Sequence, residues 1–195
     1  MKPVKKQIGR DDALADALIL LNKKQLKLLI SVQGILCDLI GGFLEFFGKE
    51  YLLKTCPKGE YDLKKVTGHA FTDLPLILLA HLKPTEEFQY ILQRCNKHLV
   101  GLAINSSDHF QTFANVAWIR QYLPGIKYVQ VTSTTKNILQ PPEEKGRVIL
   151  IDDCDAEIQA WEGPSILLPR PWNSAIGDPI KVLDRCISHF ELEGI

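Results

Sequence analysis

Short apolar runs alternate with stretches of helical spacing from residue 26 onward, and this alternation constrains the fold more than any other feature. The runs are Leu26–Val32 (LKLLISV), His98–Ile104, Lys127–Thr132, Arg147–Ile151 and Ser165–Leu168. Between and after them lie Ile35–Gly48, His109–Leu123, Ala156–Trp161 and Asp178–Phe190, whose apolar residues recur at helical intervals. Apolar runs this short read as buried strands. Strands that alternate with helices pair in parallel through right-handed crossovers. The expected fold class is therefore α/β, with a parallel, Rossmann-like sheet. The alternation stops between residues 51 and 97. A Cys-Pro-Lys-Gly turn at 56–59 and two short helical patterns parted at Pro84 replace it, which reads as an inserted helical cap. The expected organisation is an N-terminal amphipathic helix over 1–25, a core made of 26–48 and 98–195, and a cap over 49–97. In such sheets ligands gather at the carboxyl ends of the strands. The tips that matter are thus Ser31–Gly34, Asn105–Asp108, Ser133–Lys136 and Asp152–Asp155.

Composition removes several function classes. A chain of 195 residues carries one domain with an insertion, not two full domains. Lys+Arg is 23 and Asp+Glu is 23, so the net charge is zero and a wholly basic nucleic-acid binder is not expected. The apolar stretches Leu76–Ala80 and Val148–Ile151 fall far short of the ~20 residues of a membrane span. No apolar core follows the basic MKPVKKQIGRDD start, so no signal peptide is read. Neither GxxxxGK[ST] nor GxGxxG occurs, so neither a P-loop nor a Rossmann dinucleotide fingerprint competes. Five cysteines without a CxxC pair suggest reduced thiols in a cytoplasmic protein. The five histidines (His69, His81, His98, His109, His189) lack ligand spacing, and no transition metal is expected. In the first segment Asp11 or Asp12 is a candidate cap, and Leu14, Leu18, Leu21 and Gln25 form a stripe among lysines. Such a helix packs on the domain edge, or it docks on a protein partner or a second copy in a homodimer; both readings stay open.

Four stretches carry a family resemblance. They are QGILCDLIGGFLEFF at 33–47, AWIRQYLPG at 117–125, Lys136 placed 16 residues before Asp152–Asp153, and Trp161 followed by a short strand and LPRPWNS at 168–174. Over roughly residues 26–178 the chain resembles the haloacid dehalogenase (HAD) superfamily, and within it the cytosolic 5'(3')-deoxyribonucleotidases. The resemblance implies a HAD core with a small cap and phosphoryl-transfer chemistry. An aspartate opens motif I and attacks phosphorus, and a second one two residues later protonates the leaving oxygen. A motif II Ser or Thr and a motif III Lys hold the phosphate, and motif IV carboxylates hold Mg2+. Carried over, motif II corresponds to Asn105-Ser106-Ser107, motif III to Lys136 and motif IV to Asp152 and Asp153, at most a weak Mg2+ site.

Motif I departs from that pattern. Ser31 stands at the nucleophile position and Gln33 at the acid/base position. Asp38 falls one turn into the next helix, and Asn115 stands where relatives often have Lys. A missing general acid costs about 10²–10⁴ in rate. A missing nucleophile in a concerted constellation costs about 10⁶. Ser31 needs a base, and the Gln33 amide cannot accept a proton. The expectation is a pseudo-phosphatase that keeps a nucleotide- or phosphate-binding role, for a nucleoside monophosphate or another phosphorylated small molecule. Two alternatives stay open: a protein-interaction module on the same scaffold, and a phosphohydrolase working by an unrecognised route. Blander roles are open for single residues. Lys136 can be a solvated loop lysine, the Asp152–Asp153 pair can serve as a helix cap, and Arg170 and Trp172 can pin the C-terminal strand.

Overall fold

The computed structural model describes residues 26–55, 68–69, 75–106, 108–126, 129–134, 136–139 and 147–193. Five strands form one all-parallel sheet: β1 (Lys27–Ser31), β2 (Leu99–Asn105), β3 (Val129–Thr132), β4 (Val148–Asp152) and β5 (Ser165–Leu167), in the order β3-β2-β1-β4-β5. The helices are α1 (Leu39–Phe46), α2 (Leu52–Thr55), α3 (Leu76–His81), α4 (Phe88–Cys95), α5 (His109–Tyr122), α6 (Asp155–Ala160) and α7 (Pro179–Glu193). Short 3-10 turns lie at Asn96–His98 and Lys136–Leu139. The expected α/β class is the one observed. The expected membrane-free character stands only in this sense: among the described residues no helix is long and apolar enough to cross a membrane.

The strand sequences account for the layering. β1 is central, with β2 on one side and β4 on the other, and β4 (VILID) is buried throughout. Successive side chains of a strand point to opposite faces. Leu28 and Ile30 thus join a large cluster with Phe43 and Leu44 of α1, Ile91 of α4, Trp118 of α5 and Leu183 and Ile187 of α7. Leu29, Ala103, Val148 and Leu150 join a smaller one closed by Trp161, whose indole N–H donates to the Val148 carbonyl at 3.2 Å. Both faces are covered, as a parallel sheet requires.

Most elements lie within a residue or two of their expected bounds, but the first helix does not. It begins at Leu39 rather than Ile35. Gly34 takes φ +80°, and the Leu36 and Cys37 N–H groups both turn back to the Val32 carbonyl. Cys37 bridges to Pro84, and the Asp38 N–H donates to the Lys83 carbonyl. Asp38 then caps α1, its Oδ1 accepting from the Gly41 N–H at 2.9 Å. Asp38 is therefore a cap and not a residue one turn inside the helix. A tertiary tie to residues 83–84 outweighs the helical spacing of 35–38.

The segment expected as a cap contributes α2, α3 and α4. Phe88, Ile91 and Cys95 of α4 enter the main core, and the Tyr90 hydroxyl donates to Asp184 of α7 at 2.6 Å. The turn at 56–59 and the N-terminal helix expected over 1–25 lie outside the described residues, as does Ser107.

Candidate active-site cavity

The carboxyl ends of β1, β2 and β4 bring Ser31, Asn105 and Asp152 to one edge of the sheet, because the three strands run in parallel register. A cavity of about 520 Å³ opens there. Of the residues expected at the site, Ser31, Gln33, Asn105, Lys136, Asp152 and Asp153 line it. Ser106 does not. Its hydroxyl is buried, donates to the Asp108 carbonyl at 2.8 Å and accepts from Thr112 Oγ1 at 3.0 Å. It is committed to starting α5.

The floor is the loop after β1. Ser31 is buried, and its hydroxyl donates to the Gln33 carbonyl at 3.3 Å. Gln33 Oε1 accepts from the Asn105 N–H at 3.3 Å, tying the loop to the end of β2. Gly34 lies so close to Asp153 that a Cβ there would overlap the carboxylate. Buried Arg170 holds this loop from below: Nε donates to the Gly34 carbonyl at 2.9 Å and Nη2 to the Ile35 carbonyl at 3.4 Å. Its Nη1 pairs with Glu87 at 3.1 Å. Arg170 is thus a strut under the loop rather than a pin for the C-terminal strand.

The charged wall comes from the end of β4 and the 3-10 turn. Lys136 Nζ lies 2.8 Å from Asp152 Oδ2, and both side chains are buried. This contact is a charge pair off hydrogen-bond alignment, since Oδ2 accepts no well-angled bond. Asp152 Oδ1 accepts from the Asp153 and Cys154 N–H groups at 2.8 and 3.2 Å. The residue at the α6 cap position is Cys154, with no side-chain cap bond, so neither aspartate caps that helix. Lys136 is no solvated loop lysine; burial and pairing fix its ammonium. Half-buried Asp153 accepts from Trp172 Nε1 at 2.7 Å. Burial and the neighbouring Asp152 push its carboxyl up to about 7, against the opposing pull of Trp172 and Lys136.

Glu157 is a site residue that the sequence reading misses. Its Oε2 accepts from the Lys136 N–H at 2.8 Å and its Oε1 from Asn105 Nδ2 at 3.3 Å, so it joins the tips of β2 and β4 to the 3-10 turn. Its signal is the run DDCDAE, which places two more acids in the first turn of α6.

Magnesium, which the resemblance implies, would draw here on the Asp152 and Asp153 carboxylates, with no motif I carboxylate beside them. Magnesium is commonly held by one or two carboxylates together with substrate phosphate and water. Ser31 contributes no carboxylate, Lys136 already balances Asp152, and Asp153 binds the Trp172 N–H. Among the described residues no group of three or more His, Cys, Asp or Glu side chains is placed to hold a metal.

No known family profile matches the sequence, and no curated protein matches it. Among solved structures the chain is similar to a HAD-superfamily hydrolase, subfamily IA, variant 1, from Geobacter sulfurreducens. The identity is 13%, the TM-score 0.46, and the match covers 84% of this chain and 97% of that one. What this chain displays on its own is a five-stranded parallel α/β fold with one buried lysine–aspartate pair in a cavity at its strand ends.

Proposed function

We propose that the protein is a HAD-type phosphatase scaffold that has lost catalysis and keeps a binding role for a phosphorylated small molecule, nucleoside monophosphates included. The observation that carries this reading is the neutral head of the cavity. Ser31 and Gln33 stand where the resemblance requires two aspartates, and the Ser31 hydroxyl gives its proton's hydrogen bond to a backbone carbonyl, which is no base. An alkoxide has no route to form there. A phosphate, by contrast, meets no motif I carboxylate, and the Lys136 ammonium, paired with Asp152 and near Asp153, Asp155 and Glu157, is the cation of the lining.

Two experiments test the two halves. With an aryl phosphate or deoxynucleoside monophosphates and magnesium, turnover should lie far below the enzyme median of ~10 s⁻¹. The double variant Ser31→Asp, Gln33→Asp should gain measurable hydrolysis. Parent turnover near that median sinks the loss of catalysis. For binding, inorganic phosphate is titrated by calorimetry. Lys136→Ala should weaken it, and Asp152→Asn, which frees the ammonium from its partner, should leave it equal or stronger. Phosphate binding that ignores Lys136→Ala refutes the binding half.

A further inference from the structure

The cavity has two chemically distinct sides. The strand ends, the 3-10 turn and the start of α6 supply the polar one, with Ser31, Gln33 and Lys136 beside the carboxylates of Asp152, Asp153, Asp155 and Glu157. The other is aliphatic: Leu39 and Ile40 from the first turn of α1, and Leu79 from α3. Ile40 and Leu79 belong to the packed core, so this wall is built and not a chance exposure of mobile side chains. Base recognition needs donors and acceptors along a ring edge. Three alkyl side chains offer none. Elsewhere in the lining the Asn105 amide already donates to the Thr134 carbonyl and to Glu157, and Gln111 of α5 is a second amide there. An apolar body, however, gains from every contact with such a wall. The volume of about 520 Å³ is that of a small-molecule site.

From this we infer that the ligand is a phosphomonoester of a compact apolar alcohol, aromatic or aliphatic, with its phosphate at Lys136 and its body against Leu39, Ile40 and Leu79. The inference rests on the phosphate-binding reading above and narrows it, because it places nucleoside monophosphates behind simpler esters.

The test is calorimetric titration of the full chain with three probes: inorganic phosphate, phenyl phosphate and deoxythymidine monophosphate. Phenyl phosphate should bind about tenfold more tightly than inorganic phosphate, the low end of what one methylene is worth in an apolar pocket. It should also bind more tightly than the nucleotide. Leu39→Ala, on the half-buried edge of the wall, should remove most of that gain and leave inorganic phosphate unchanged. Leu79→Ala should do the same, and the Leu39 variant keeps the test decisive if the core residue is needed for folding. Equal affinities for phosphate and phenyl phosphate overturn the apolar-body inference while the phosphate reading stands. Tighter binding of the nucleotide than of phenyl phosphate overturns it too. Phenyl phosphate binding that survives Lys136→Ala overturns the phosphate reading and leaves the wall. If no probe binds, both fall.

Discussion

At the scale of single residues, the loop after β1 is held by one glycine and one arginine. Gly34 combines a left-handed φ of +80° with contact to Asp153 that leaves no room for a side chain. Gly34→Ala should therefore destabilise the fold by about 1–3 kcal/mol, the cost of a non-glycine residue held in that region. Urea unfolding of the variant and the parent checks it, and an unchanged midpoint contradicts the geometry. Arg170 acts on the same loop from 136 residues away, through the Gly34 carbonyl. The motif LPRPWNS marks this stretch in the sequence, but not its role. Whether an arginine meets a base, a carboxylate or a backbone carbonyl depends on what the fold brings to it. The same holds for Lys136 and Asp152. Their types and spacing are readable, while their 2.8 Å contact is not.

At the scale of elements, α7 is fastened to α4 by charge as well as by packing. The Arg94 guanidinium, by its hydrogen bond, holds the Glu191 carboxyl down to about 2, with Lys97 and His98 adding to it. A carboxyl whose folded pKa is depressed contributes stability that is fully present above its unfolded value. That contribution is lost as pH falls from about 4.5 toward 2. The pair is partly exposed, so solvent screening keeps the gain to a surface pair's range, under about 1 kcal/mol. Glu191→Gln should lower the melting temperature at pH 7 and have progressively less effect as pH falls toward 2. A gap that does not shrink on acidification, or that added salt leaves unchanged at pH 7, contradicts this account. The helix after β1 makes the complementary point. Its apolar spacing reaches back to Ile35, yet the chain stays in a turn until Asp38, because residues 83–84 claim the backbone of 37–38. Local periodicity cannot register a competitor nearly fifty residues away.

At the scale of the whole molecule, the five strands and their two packed faces are assembled from residues 26 onward. Deletion of residues 1–24 should accordingly leave a core that melts cooperatively. Any change should appear in association, because the removed segment is basic and amphipathic in sequence. Sedimentation and thermal melting of both forms decide this, and a truncated chain that fails to fold places the segment in the core. By itself the sequence determined the order of strands and helices, the four tips at which a ligand can sit, and the absence of a carboxylate at Ser31 and Gln33. Those features are local, set by apolar period and residue type. Only the tertiary structure decided that Ser106 turns into the start of α5, that Glu157 ties three tips together, and that Lys136 is already paired. The Ser106 contacts are local, to Asp108 and Thr112, but the other two outcomes depend on which distant groups a parallel sheet brings within reach. A one-dimensional pattern does not encode that distance.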